Sequence, residues 1–177
     1  MISRFEEIYN EYTHLVYNLA LHYTQNGADA EDITQEVFVK VYQHLHKYDP
    51  AVASLKTWIY RIAINQCLDF LKARKTGKRF AFITGLFQSS ASKPVNDVVH
   101  FDHPGIAAEN KEELEKLFGL INELPPNQKT ALILAKIESR PQKEVAEIMH
   151  VSLKAVESLL QRARQTLQKK LDQSEGF

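Results

Sequence analysis

Hydrophobic positions recur at steps of three and four along most of this chain, the spacing of one face of an α-helix. Phe5, Ile8, Tyr12, Leu15, Val16 and Leu19 mark a first amphipathic helix, which the run Gln25-Asn26-Gly27 breaks. Asp29 reads as the N-cap of a second helix, with acids in the first turn where the helix dipole favours them. Ile33, Val37, Phe38, Val41 and Leu45 form its apolar stripe. Tyr48-Asp49-Pro50 closes it, because the residue before a proline avoids helical torsion angles. A loop leads to Ser54 or Thr57, either of which can cap a third helix ending near Lys75. Ile59, Ile62, Ala63, Cys67, Phe70 and Leu71 make its buried side, and Trp58, Arg61, Asn65, Asp69 and Lys72 line the other. Strand patterns are scarce.

Periodicity is lost over residues 76–107, where Gly, Pro and the polar run Gln88–Lys93 accumulate. That composition predicts a flexible linker between a domain at 1–75 and another at 108–177. Helical spacing returns with Leu114, Leu117, Phe118 and Ile121, and Leu124-Pro125-Pro126 ends that helix. A further helix is expected from Pro126 to Glu138, and a short one beginning near Pro141 with Val145, Ile148 and Met149 inward. A tight turn at His150-Val151 precedes Ser152, the N-cap of a last helix with Val156, Leu159, Leu160, Ala163, Leu167 and Leu171 as its stripe. The fold class that follows is all-α, two small helical domains, the second ending in a helix-turn-helix.

Composition narrows the class further. The 177 residues are 44% hydrophobic and 25% charged, which excludes disorder over the whole length. Cys67 is the only cysteine, so neither a disulfide framework nor a cysteine zinc site is available, and a reducing, cytoplasmic location fits. No apolar run approaches the roughly 20 residues that span a membrane. The opening Met1–Tyr12 carries acids and aromatics and is unlike a signal peptide. His44 and His46 point to different helix faces, and His100 and His103 have no ligand company, so no metal site is expected. No nucleophile–base pair, phosphate loop or carboxylate pair suggests catalysis, and no cofactor is implied.

The 22 basic and 22 acidic residues cancel, which taken globally argues against a nucleic-acid binder. Their distribution says more. Lys72 to Arg79 holds five bases and no acid, and Lys154 to Lys170 holds five bases against the single acid Glu157. Asp29, Glu31, Asp32 and Glu36 form a compact acidic cluster. Short helix, turn and longer capped helix over 143–164 is the helix-turn-helix layout, with small Ala146 at the crossing. Its second helix would present Lys154, Glu157, Ser158, Gln161 and Arg162 to base edges and backbone of a major groove. An ordinary hairpin with a solvated charged face is the plainer alternative. Likewise the acidic cluster is either a solvated first turn or a partner surface, and Trp58 is either core or part of a surface that holds unstacked bases.

Two sets of motifs resemble one family. Residues 143–164, KEVAEIMHVSLKAVESLLQRAR, and the preceding LINELPPNQKTALILAKIE resemble the promoter-binding domain of bacterial RNA polymerase sigma factors of the extracytoplasmic-function group. DAEDITQEVFVKVYQHL resembles that family's polymerase-binding segment, and SLKTWIYRIAINQCLDFLKARK its promoter-melting helix. The resemblance implies a protein that binds the RNA polymerase core and directs promoter recognition, melting and initiation. It implies core contact through Asp32, Gln35 and Glu36. It implies minus-ten contact through Trp58, Arg61, Asn65, Asp69 and Lys72, and minus-thirty-five contact through the five residues of the last helix. An anti-sigma factor is the further expected partner; no stable homo-oligomer and no membrane insertion are expected. His150 stands where the family usually has Gly, Pro141 replaces a Ser cap, and Glu157 and Leu159 replace Lys and Arg. A stand-alone helix-turn-helix regulator with a sensing N-terminal domain is the alternative from another class.

Overall fold

The computed structural model describes residues 2–87 and 111–175, and every regular element among them is helical. Helices α1 (Ile2–Thr24), α2 (Gly27–His44) and α3 (Leu55–Phe87) pack on one another. A single short turn of 3₁₀ helix, Leu45–Lys47, follows α2. After the undescribed stretch come α4 (Lys111–Asn122), α5 (Pro126–Leu132), α6 (Gln142–Met149) and α7 (Leu153–Glu175). Most of the expected linker lies outside the described residues.

Local chemistry accounts for most of the boundaries, with three differences from the sequence pattern. The cap of α2 is Asn26, whose side chain accepts from the Asp29 N–H at 2.9 Å. Asp29 sits instead in the first turn and pairs with Arg74 of α3 at 2.8 Å. Ser54 rather than Thr57 caps α3, its hydroxyl accepting from the Thr57 N–H at 3.1 Å. Helix α3 continues to Phe87, well past Lys75, through glycines at 77 and 85. Each Gly inside a helix costs only about 1 kcal/mol against Ala. The helix expected over 126–138 is an α-helix only to Leu132, after which Ile133–Ile137 form a π turn closed by the Glu138 N–H on the Ile133 carbonyl at 2.8 Å.

The principal core is shared by both groups of helices. Val16, Leu19 and Tyr23 of α1, Ile33 and Val37 of α2 and Ile59 and Ala63 of α3 belong to the same buried cluster as Ile133, Leu134, Val145, Ile148 and Val156. A smaller cluster of Phe118, Ile121, Leu124 and Ala163 fastens α4 to α7. The two domains therefore dock face to face, and that docking sets the surroundings of the candidate sites.

Candidate nucleic-acid and polymerase interfaces

The acidic motif lies on α2. Ile33, Thr34, Val37 and Phe38 turn inward, leaving Asp32, Gln35 and Glu36 exposed on the outer face of α2. Val39 and Tyr42 continue that exposed side toward the helix end. Phe5 packs edge-on to Tyr42 at 5.2 Å between ring centres, and Tyr9 to Phe38 at 4.8 Å. An acidic surface thus runs into an apolar one, an extension missed in the sequence because only the Ile33/Val37 stripe of α2 was followed. The signal was Val39 and Tyr42, apolar residues offset from that stripe.

The candidate minus-ten face divides in two. Asn65, Asp69 and Lys72 are exposed along α3, and Asp69 and Lys72 line an open groove with Ala73 and Thr76. Trp58 is half-buried; its ring lies 5.3 Å from that of Tyr48, whose hydroxyl donates to the Ala53 carbonyl at 3.1 Å and pins the loop before α3. The core alternative describes most of the Trp58 surface, since it packs against the main cluster. Arg61 points at the other domain. Its Nη2 donates to the Glu147 carbonyl at 2.8 Å and its Nε to the Ile148 carbonyl at 3.2 Å.

Those carbonyls end the first helix of the helix-turn-helix. The Val151 N–H reaches the Ala146 carbonyl at 3.0 Å and the His150 N–H the Glu147 carbonyl at 3.2 Å, the paired closing bonds of a Schellman turn. Such a turn needs a left-handed residue, and His150 supplies it at φ 54°, ψ 47°. Ser152 then caps α7 by accepting from the Ala155 N–H at 3.1 Å. Val156, Leu160 and Ala163 are buried beneath, and Lys154, Glu157, Gln161 and Arg162 stand exposed with Ser158 half-buried beside them. A cleft of about 530 Å³, lined by Arg61, Asn65, Ile148 and His150 among others, separates this turn from α3.

Between the domains lies a polar network that the sequence pattern did not reveal. His22 Nδ1 is 2.8 Å from Glu138 Oε1, and the Tyr60 hydroxyl donates to Glu138 Oε2 at 3.3 Å. Arg140 stacks over the Tyr60 ring at 5.5 Å and sits 3.8 Å from Glu138. Burial alone would raise the Glu138 carboxyl, but the His22 hydrogen bond and charge, then Arg140 and the Tyr60 hydroxyl, outweigh it and hold it below its ordinary value. Lys129, only 3% exposed, donates to the Tyr23 carbonyl at 3.3 Å and to Asn122. Burial pushes its ammonium down to about 8; the nearby Cys67 thiol opposes the shift and Lys75 adds to it. Tyr23 and Thr130 share a buried hydrogen bond of 2.7 Å. No cluster of three or more metal-ligating side chains occurs among the described residues. No described helix is long and apolar enough to cross a membrane.

Two capped helical units, one ending in a helix-turn-helix over a basic exposed face, define a class of transcription factor, and the comparisons with known proteins name it. The family model "Sigma-70 region 2" matches residues 8–76 and "Sigma-70, region 4" matches residues 114–167. The ECF RNA polymerase sigma factor SigM of Bacillus subtilis is 33% identical over 164 residues, 92% of this chain and 91% of that protein. CnrH, solved in complex with the cytosolic domain of CnrY, superposes with a TM-score of 0.63 at 20% identity over 97% of this chain and 90% of its own. Sigma factor RpoE, solved with the anti-sigma factor NepR from Bartonella quintana, gives 0.63 at 22% identity over 96% and 97%. The chain belongs to the extracytoplasmic-function RNA polymerase sigma factors, and its function is to direct the polymerase to promoters and start transcription.

Proposed function

We propose that this sigma factor divides its work among three surfaces. The outer face of α2, with Asp32, Gln35 and Glu36, holds the polymerase core. The α3 face, with Trp58, Arg61, Asn65, Asp69 and Lys72, takes the melted minus-ten element. The first turns of α7, with Lys154, Glu157, Ser158, Gln161 and Arg162, read the minus-thirty-five element as duplex. The observation that carries the reading is the exposure of Asp32, Gln35 and Glu36 beside that of Lys154, Gln161 and Arg162, acid on one domain and base on the other. Opposite fields suit opposite partners, a basic protein surface and a nucleic-acid backbone.

A neutral net charge fits a protein whose tight DNA binding depends on the polymerase. Such a factor acts where the polymerase is, in the cytoplasm. An anti-sigma factor is the second protein partner in this reading, the kind of partner with which RpoE was solved. Transcription in vitro tests it: the chain is added to core polymerase with a promoter library. Initiation at a consistent subset of templates, absent without the chain, is the expected result. Tight operator binding without polymerase and no initiation with it would instead fit a stand-alone regulator.

A further inference from the structure

Helix α7 carries two parallel rows of side chains beside its buried stripe. Residues four apart on a helix are neighbours on its surface. Lys154, Ser158 and Arg162 form one row, and Leu153, Glu157 and Gln161 form the other. The first row is basic. The second carries no base, although it borders a segment, Lys154 to Lys170, in which five bases stand against the single acid Glu157. Both rows lie outside the buried Val156, Leu160 and Ala163.

Leu153 and Glu157 are the odd members of a DNA-reading surface. Leu153 is the first residue of α7, directly after the Ser152 cap, and is 39% exposed. It therefore stands at the helix end that enters a major groove, with an apolar side chain in water. Glu157, one turn on, is exposed as well, and its charge repels the phosphates that the basic row attracts. Groove chemistry gives each of them a single natural partner. A carboxylate only accepts hydrogen bonds. It meets acceptors on guanine (N7 and O6) and on thymine (O4), a mixed edge on adenine, and a lone donor, the N4 amine, on cytosine. A leucine has no polar atom, and the apolar group in the major groove is the C5 methyl of thymine.

We infer that the Leu153–Glu157 row is a second reading edge beside the basic one: Leu153 packs on the methyl group of a thymine, and Glu157 accepts from the N4 amine of a cytosine. The two residues lie about 6 Å apart along the helix axis, so the two base pairs are within about two steps of each other. The inference rests on the assignment of α7 to the minus-thirty-five element and names what that helix asks of the duplex. Part of the selection is rejection. Guanine or thymine opposite Glu157 sets a desolvated carboxylate against acceptors, which costs far more than a missing contact.

The test uses the full chain bound to core polymerase. A minus-thirty-five element is first selected from a randomised promoter library. Each of its thymines is then replaced by deoxyuridine, which removes the C5 methyl and nothing else, and each of its cytosines by the other three bases. Binding is read by gel shift of the holoenzyme. At one thymine the deoxyuridine template should bind the unaltered protein about fourfold more weakly, the worth of one buried methyl group. Leu153→Ala should bind the thymine and deoxyuridine templates equally. At a cytosine within two steps, guanine and thymine should be rejected about tenfold, and Glu157→Gln should move the preference to adenine, whose N6 and N7 an amide matches. Circular dichroism establishes that both variants keep their helices. Insensitivity of the unaltered protein to every deoxyuridine, or a Leu153→Ala variant that still distinguishes the two templates, overturns the thymine contact. An unchanged cytosine preference in Glu157→Gln overturns the cytosine contact. Lys154→Ala and Arg162→Ala keep the assignment of α7 separate: if they weaken the promoter while deoxyuridine and Glu157→Gln change nothing, the second reading edge alone is lost. If no substitution in either row alters binding to the element, the assignment of α7 falls, and the inference with it.

Discussion

Lys129 delivers its ammonium to the end of α1, 3.3 Å from the Tyr23 carbonyl and 5.1 Å from the centre of the Tyr23 ring. Its ordinary value is 10.5, and burial holds it near 8 in the docked chain, with Lys75 adding to the shift and Cys67 opposing it. The docked form therefore binds fewer protons than the separated one. Docking strengthens as pH rises from about 8 to 10.5, by an amount on the order of 3 kcal/mol at the limit. Glu138 works at the other end of the scale: held below its ordinary value of 4.5, it contributes above that pH and loses its contribution as pH falls further. Thermal unfolding of the free chain across this range should show a rising alkaline limb that Lys129→Met lacks. Parallel curves for the two proteins would contradict it.

His150 occupies the left-handed position of the helix-turn-helix turn with a side chain that strains it. Replacement by Gly removes about 1–2 kcal/mol of backbone strain. It also loosens the unfolded chain by about 0.4–1 kcal/mol. His150→Gly should therefore stabilise the protein by about 0.5–1 kcal/mol, seen as a higher urea midpoint with an unchanged slope.

Glu36 is exposed and has no structural duty in α2. Glu36→Lys, or Asp32→Lys combined with Gln35→Ala, should leave stability within about 0.5 kcal/mol and abolish binding to core polymerase in a pull-down. Retention of core by well-folded variants would move the polymerase contact elsewhere.

Lys154 and Arg162 project from the same side of α7, two turns apart. Lys154 lies nearer the helix start, where base edges are read. Lys154→Ala should cost about 1–3 kcal/mol and relax preference at one promoter position, whereas Arg162→Ala should weaken all sequences together and lower the salt slope by about one. Holoenzymes assayed on a library randomised over the minus-thirty-five element distinguish the two behaviours.

Most of the architecture was legible in the sequence because it is written in local terms. The stripes of α1, α2 and α7, the Ser152 cap and the tight turn at His150 each depend on residues within a turn or two of one another. The Asn26 cap was missed because Asp29, an equally good capper, stood closer to the acidic run. The extension of α3 was missed because Gly77 reads as a breaker, although it costs a long helix little. The network around Glu138 was out of reach for a different reason: His22 and Glu138 are far apart in sequence, and their partnership depends on how two domains dock. The hint available was that Tyr23 continues the α1 stripe into a run of polar residues, His22, Thr24 and Gln25, all of which the structure buries.

The π turn at Ile133–Ile137 winds one residue more into its circuit than an α-helix holds. Losing a residue from an ordinary helix swings everything beyond it by about 100°. Here the surplus can be given up: with exposed Lys136 deleted, the turn tightens to α-helical pitch, and Glu138 and α6 keep their heading. The chain thus carries slack at this one point, upstream of its DNA reader. Deleting Lys136 should preserve the helix-turn-helix and its transcription in vitro, whereas deleting Glu157 from α7 should destroy both. A shorter relative with an unbroken helix here would hold its DNA reader at the same angle, so length variation at this point is expected to be silent.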